Sequence, residues 1–329
     1  MIDSQLPAGV HGLHHITAMA GPPQENIDFY AGVLGMRLVK RSVNQDAPGT
    51  CHLFYADAEG HPGSDLTFFP WTQPAPARGG HGLSTEVSLT VCPGTLVYWG
   101  ERLQHYAVTV DRIEARFGDR VLPFADPHGL RLALVERDDA GARAFSPWDS
   151  SPVPAARQIR GLECARLRER EAGPTVGFLA DVLGFSLLGE ERGWQRYGTA
   201  GGGSGAYVDV QEAPGVLRGA RGVGSIHHLA WRVADERHQV ALRDRIESAG
   251  RRPTPVIDRF WFTSVYFLEP GGVLFELATD GPGFGVDEDV RDLGESLVLP
   301  PWLESRRAAI ESTLPPIQYP PALAAARAD

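Results

Sequence analysis

The sequence predicts an α+β chain assembled from four copies of one unit, each a strand, a helix and then several strands, and two internal echoes carry that prediction. In the first, Phe29-Tyr30-Ala31-Gly32-Val33-Leu34-Gly35-Met36 returns as Phe178-Leu179-Ala180-Asp181-Val182-Leu183-Gly184-Phe185. Each reads as a short amphipathic helix stopped by glycine, followed by a strand at Arg37 to Arg41 or Ser186 to Leu188. In the second, the turn and strand Asp126-Pro127-His128-Gly129-Leu130-Arg131-Leu132-Ala133-Leu134 return as Glu269-Pro270-Gly271-Gly272-Val273-Leu274-Phe275-Glu276-Leu277. The echoes mark segments at 12–71, 81–137, 160–212 and 223–280.

The elements inside the segments follow from periodicity. In the fourth, Ala234 to Ala249 carries Val240, Leu242 and Ile246 among Arg, Asp and Glu and ends at Gly250, so one stripe of a helix faces a sheet. In the second, the helix lies at Pro93 to Gln104 or at Val110 to Phe117. The stretch Ala140 to Arg157, with Ser146-Pro147-Trp148 and Ser151-Pro152-Val153-Pro154, has linker composition. The expected organisation is an N-terminal pair of units over 1–145, a C-terminal pair over 146–280, and a Pro-rich tail over 281–329 with a helix at Pro301 to Leu314.

Bulk properties exclude several classes. A chain of 329 residues, 43% hydrophobic and 22% charged, can bury two ordinary cores, so disorder is not expected. The opening MIDSQLPAGVHG has neither a basic start nor a continuous apolar run, and no later stretch reaches the ~20 apolar residues of a membrane helix. The expectation is a chain that is not exported and has no membrane partner. Cys51, Cys92 and Cys164 are scattered singly, which fits a reduced cytoplasmic setting. With a net charge of −10 and no run of Lys or Arg, nucleic acid is not an expected partner; a homo-oligomer is compatible with the composition.

Two His-His pairs stand in strand contexts, Gly12-Leu13-His14-His15-Ile16-Thr17 and Ser225-Ile226-His227-His228-Leu229-Ala230-Trp231. Side chains alternate faces along a strand, so only one histidine of each pair points at a given centre unless a bulge intervenes. His227 shares its face with Leu229, Trp231 and Val233, and His14 with Ile16 and Ala18; these are the apolar, helix-covered sets. His15, in step with Thr17, and His228, in step with Ala230, are left for a polar cavity.

Glu276 is an acid inside Val273-Leu274-Phe275-Glu276-Leu277-Ala278. Burying it unpaired would cost several kcal/mol, so it requires a cation, and a metal supplies one. Two imidazoles and one carboxylate leave open positions on a divalent ion, as in non-haem iron(II) enzymes that bind both substrate and dioxygen. A lone buried histidine is more often a satisfied core residue, but three ligand-type side chains at strand positions of a repeat point to a metal. The repeat sets Ala133 opposite Glu276 and Cys164 opposite His15, so one site per chain is expected. If consecutive segments pair, His228 and Glu276 find Cys164; if the first and fourth close together, His15 completes the set. The second arrangement is favoured, because a thiolate sits poorly beside dioxygen chemistry.

These residues resemble the hydroquinone-type ring-cleaving dioxygenases of the vicinal-oxygen-chelate (glyoxalase, bleomycin-resistance and extradiol-dioxygenase) superfamily. The likeness runs from Leu13-His14-His15-Ile16-Thr17 through Ser225-Ile226-His227-His228, Asp258-Arg259-Phe260 and Tyr266-Phe267-Leu268-Glu269-Pro270-Gly271-Gly272 to Leu299-Pro300-Pro301-Trp302-Leu303-Glu304. It implies four βαβββ modules forming two half-open barrels, one Fe(II), and opening of a small aromatic diol with O2. It also implies His15, His228 and Glu276 as ligands and His14, Thr17, His227, Arg259 and Tyr266 around the pocket, where Arg259 or a histidine steadies anionic oxygen and Tyr266 or His227 moves protons. Trp231, Phe260, Trp261 and Phe262 are candidates for an aromatic wall. Two other readings fit the superfamily: a glyoxalase-like metal-dependent isomerase or lyase, normally with a fourth protein ligand, and a ligand-sequestering resistance protein that needs no metal.

Overall fold

The computed structural model describes residues 9–71, 75–199, 203 and 205–319; residues 1–8 of the opening stretch lie outside them. The first module runs β1 (Leu13–Ala20), α1 (Pro23–Ile27, continued by a π-helical turn Asp28–Val33), β2 (Arg37–Val43), β3 (Cys51–Ala56) and β4 (Asp65–Pro70). The second runs β5 (Leu83–Val91), α2 (Leu96–His105), β6 (Glu114–Arg116), β7 (Asp119–Ala125) and β8 (Arg131–Glu136). The third runs β9 (Gly161–Glu169), α3 (Ala172–Asp181), β10 (Ser186–Glu191), β11 (Trp194–Gly198) and β12 (Tyr207–Glu212). The fourth runs β13 (Ile226–Val233), α4 (Glu236–Ser248), β14 (Ile257–Asp258), β15 (Thr263–Leu268) and β16 (Leu274–Thr279). Every module is βαβββ, and of the two positions open for the second helix the first is occupied. In α4 the buried stripe is His238, Gln239, Leu242 and Ile246. Val240 faces water, because Gln239 turns inward to donate to the carbonyls of Thr263 and Leu277. The tail helix begins as a 3-10 turn at Pro301–Arg306 before α5 (Arg307–Glu311).

The sixteen strands form two curled eight-stranded sheets, ordered β14-β15-β16-β13-β1-β4-β3-β2 and β10-β11-β12-β9-β5-β8-β7-β6. Each is a half-barrel, made by modules one with four and two with three. Consecutive modules are tied by the turns that echo in the sequence: Asp126 accepts from Tyr30 Oη at 3.0 Å, and Glu269 accepts from Thr175 Oγ1 at 2.7 Å. In the second of these turns a Cβ on Gly271 would run into the carboxylate end of the Glu169 side chain, which would have to move aside.

Glu169 itself is buried without a hydrogen bond to its carboxylate, and burial, reinforced by Glu269 and partly offset by Arg218, pushes it from its ordinary 4.5 up to about 8. The folded state therefore keeps a proton that the unfolded chain releases, so this contribution to stability is complete below pH 4.5 and is lost as the pH rises to about 8. Glu169→Gln is expected to remove that slope, unfolding a few degrees above the parent at pH 8 and alongside it at pH 5. Parallel melting-temperature curves for the two proteins across this range would refute the assignment.

Register relates the two half-barrels residue by residue. In the first, His15 faces Ala230 and Thr17 faces His228, while Ala230 and Thr17 lie beside Glu276 and Thr67. In the second, Glu86 faces Arg166 and Ser88 faces Cys164, while Arg166 and Ser88 lie beside Asp209 and Ala133. The positions of His15, His228, Glu276 and Thr67 thus correspond to Glu86, Cys164, Asp209 and Ala133. In the second half-barrel, arginines fill the centre. Arg196 binds both oxygens of Asp209 at 2.8 and 3.1 Å, Arg166 lies 3.5 Å from Asp209, and Arg116 pairs with Glu86.

Candidate metal centre

The first half-barrel is made for a centre at the β1–β13 seam. Its convex face carries Ile16, Ala18, Leu229, Trp231 and Val233 into the main core, and alternation leaves the opposite side chains for the concave face. The seam holds two bulges: His14 is an extra residue between Leu13 and His15 on β1, and His227 is one between His228 and Ile226 on β13. The bulges resolve the conflict between strict alternation and two histidines per strand.

His15 Nε2 and His228 Nε2 lie 3.1 Å apart, and Glu276 Oε2 is 3.3 Å from the first and 3.0 Å from the second. All three residues are buried, and theirs is the one such cluster of metal-ligand types among the described residues. Ligand atoms roughly 2.1 Å from an ion and at right angles to one another are separated by about 3 Å, so this triangle fits one face of an octahedron and leaves the other side open. Glu276 Oε1 accepts from Ser264 Oγ at 2.5 Å, which fixes the carboxylate and leaves Oε2 turned inward without a hydrogen-bond donor. Burial pushes the Glu276 carboxyl upward, but the His15 and His228 imidazoles outweigh it and hold it well below the usual carboxylate range.

Each imidazole is backed by its bulged neighbour: His14 Nδ1 lies 2.9 Å from His15 Nδ1, and His227 Nδ1 lies 2.8 Å from His228 Nδ1. Burial, then the adjacent ring, lowers His14 and His227 to about 3, so both are neutral and can accept a proton-bearing Nδ1. That leaves both Nε2 atoms of His15 and His228 free to bind, the usual outer support of a metal-binding histidine. His14 does this from behind and does not line the cavity, whereas His227 does both.

The centre opens into a cavity of ≈ 310 Å³ walled by Phe54, Phe69, Trp261, Phe262 and Leu274. Trp231 is not part of the wall: it packs against Phe185 and Phe275 on the convex side. Phe260 is not part of the wall either: it packs against Trp302 of the tail, with its backbone at φ +73. Tyr266 meets His228 edge-on at 5.7 Å, and the Arg259 guanidinium lies 5.3 Å from the Tyr266 ring while binding both oxygens of Asp46 at 3.2 and 2.9 Å. Thr17 Oγ1 is 2.9 Å from His228 Nε2.

Residues 12–134 and 163–277 match the Glyoxalase/Bleomycin resistance protein/Dioxygenase superfamily. The chain belongs to that superfamily. It is 42% identical over 307 residues to the "Putative ring-cleaving dioxygenase MhqO" of Bacillus subtilis, covering 93% of this chain and 96% of the relative. To the chlorohydroquinone/hydroquinone 1,2-dioxygenase of Sphingobium indicum it is 36% identical over 320 residues, covering 94% and 98%. The crystal structure of a "putative dioxygenase" from Bacillus subtilis superposes with a TM-score of 0.88 at 40% identity, covering 95% of this chain and 99% of that one. Glyoxalase I of Zea mays shares the fold alone, with a TM-score of 0.60 at 14% identity over 82% of this chain and 92% of that one.

Within this superfamily member, sequence reasoning missed the cavity residues that β3 and the loop after β2 supply, namely His52, Phe54, Asn44, Gln45 and Asp46. His52 and Phe54 alternate onto the concave face of β3, a period-two signal present in the sequence. It gains meaning only once β3 is known to lie beside β4, and β4 beside β1.

Proposed function

We propose that this chain is an iron(II)-dependent dioxygenase that opens the ring of a substituted hydroquinone with O2. The observation that carries the reading is the facial His15, His228 and Glu276 triangle at the floor of an aromatic-walled cavity. The names of the relatives in Bacillus subtilis and Sphingobium indicum support it. In this reading His15, His228 and Glu276 hold the metal, and His14 and His227 fix the orientation of the two imidazoles. The iron, when bound, supplies the Lewis acidity that favours loss of a hydroxyl proton from the diol and the electron that activates O2. The apolar walls suit a neutral ring with small alkyl or halogen substituents. Arg259 and Tyr266, at the end of the cavity beside His228, hold the polar groups of the ring, and the Asp46 pair keeps the guanidinium in place. The setting proposed is the cytoplasm.

The isomerase reading is weaker for a specific reason. The position that mirrors Glu276 across the seam is Thr67, so the symmetric fourth carboxylate is replaced by a hydroxyl. The test is metal analysis of protein purified without oxygen, followed by oxygen uptake with chlorohydroquinone, methylhydroquinone, catechol, and methylglyoxal with a thiol. Iron together with uptake on the hydroquinones is the expected result. Catechol turning over faster than every hydroquinone would reject the substrate class, and reaction of the thiol adduct alone would reject the dioxygenase.

A further inference from the structure

Beyond the triangle, the first half-barrel contains a row of polar atoms that neither metal binding nor folding accounts for. Thr17 Oγ1 lies 2.9 Å from His228 Nε2 and 2.7 Å from Thr67 Oγ1, and Thr67 Oγ1 lies 3.0 Å from His52 Nε2. Both threonines are fully buried. His52 is held between Phe54 and Phe69, with ring centroids at 3.8 and 4.4 Å, and reaches the cavity. The three positions belong to β1, β4 and β3, which are adjacent strands, so the row runs straight across the sheet from the ligand nitrogens to the cavity wall.

The other half-barrel serves as an internal control. There the positions of Thr17, Thr67 and His52 are taken by Ser88, Ala133 and Val121, as the pairings of Ser88 with Ala133, and of Val121 and Pro123 with Val135 and Ala133, establish. Val121 and Ala133 pack with Val135 as a small apolar cluster, and Ser88 turns to Glu86. The fold therefore does not require the hydroxyl row; it occurs only where the metal-type triangle occurs.

We propose that Thr17, Thr67 and His52 form a proton relay that carries the proton of the substrate hydroxyl away from the centre. The inference rests on the dioxygenase reading, because a diol hydroxyl that binds as an anion must give up its proton. The hydroxyl proton passes to Thr17 Oγ1 as the Thr17 proton passes to Thr67 Oγ1, and the Thr67 proton passes to His52 Nε2. His52 then releases its Nδ1 proton to water in the cavity, so both threonines end as neutral hydroxyls, His52 ends with hydrogen on Nε2, and one proton leaves per hydroxyl ionised. Exchange of the ring protons with water returns His52 to its starting tautomer before the next turnover. Burial, then the His15 and His228 rings, lowers His52 well below its ordinary value, so it begins neutral and does not retain the proton.

The relay requires the His52 tautomer with hydrogen on Nδ1. Because a metal-free His228 Nε2, 2.9 Å from Thr17 Oγ1, would itself take the Thr17 proton, nitrogen-15 NMR reads the tautomer in the full chain loaded with Zn(II), without substrate or turnover. Hydrogen on Nε2 instead would overturn the proposal. Thr67→Val and His52→Phe are expected to retain metal content and KM, to lower kcat on the hydroquinone by about 10²-fold, and to enlarge its solvent deuterium isotope effect. Thr67→Ser should restore both. A lowered kcat with an unchanged isotope effect, or no rescue by Thr67→Ser, would reduce the row to packing and overturn the relay. If the parent protein cleaves no hydroquinone, the functional reading fails separately, and the tautomer measurement still decides whether the row is polarised as proposed.

Discussion

Alanine at His15, at His228 or at Glu276 is expected to abolish metal retention while leaving a folded chain. Three ligands in a facial triangle contain no spare, and losing even an outer partner of a metal-binding histidine typically weakens binding about 10–100-fold, so loss of a ligand should exceed that. The fold should survive for reasons specific to each position. His15 and His228 sit on the concave face, whose side chains line a cavity rather than the packed core. Glu276→Ala removes a fully buried carboxylate together with its need for a cation, leaving Ser264 to seek a new acceptor. Metal content after purification, far-ultraviolet circular dichroism and oxygen uptake read the three aspects separately. Full metal occupancy in any one variant would remove that residue from the ligand set. Cys164→Ala and Ala133→Ser, at mirrored positions of the other half-barrel, should retain metal like the parent.

The positions that the sequence made legible share a physical cause. His15, His228 and Glu276 each break an apolar alternating strand with a group that cannot be buried alone, and that violation is visible without coordinates. The module boundaries were legible because a glycine-stopped helix recurs in units one and three and a turn-and-strand pattern recurs in units two and four. The pairing of module one with four was arguable because only that closure gives His15 a partner, and the β1–β13 seam bears it out. What was not legible needs knowledge of which strands are neighbours. His52 is an ordinary histidine until β3 is placed two strands from β1. Trp231 was offered as cavity wall on aromatic character, against the alternation that already set it on the covered face with Leu229 and Val233, and the structure follows the alternation. The roles of His14 and His227 depend on bulges, and a bulge inserts one residue without leaving a mark in hydrophobic periodicity.

Arg196→Met is expected to destabilise the chain by about 3 kcal/mol, a larger loss than most single substitutions give. Register places Arg196 beside Asp209, as Tyr266 lies beside Glu276, so Arg196 stands in the second half-barrel where a cavity residue stands in the first. Asp209, which corresponds to Glu276, is 1% exposed. In the first half-barrel the acid faces two imidazoles and a place for a metal; in the second, the two guanidinium bonds of Arg196 provide the positive charge. Methionine preserves much of the apolar volume between Phe117 and Tyr207, whose rings flank the guanidinium at 4.2 and 5.0 Å, but leaves the carboxylate with only Arg166 at 3.5 Å. The loss measured is therefore chiefly that of an uncompensated buried charge. Removing that charge as well, in Arg196→Met with Asp209→Leu, should recover most of the stability, because an apolar pair of similar volume can replace a buried ion pair at little net cost. Denaturant unfolding of the two variants decides the matter. If the single variant unfolds at the parent's midpoint, Arg166 alone satisfies Asp209. If the double variant is no more stable than the single, the arginine acts through packing rather than charge, and the idea that guanidinium took over the place of the metal in this half-barrel fails.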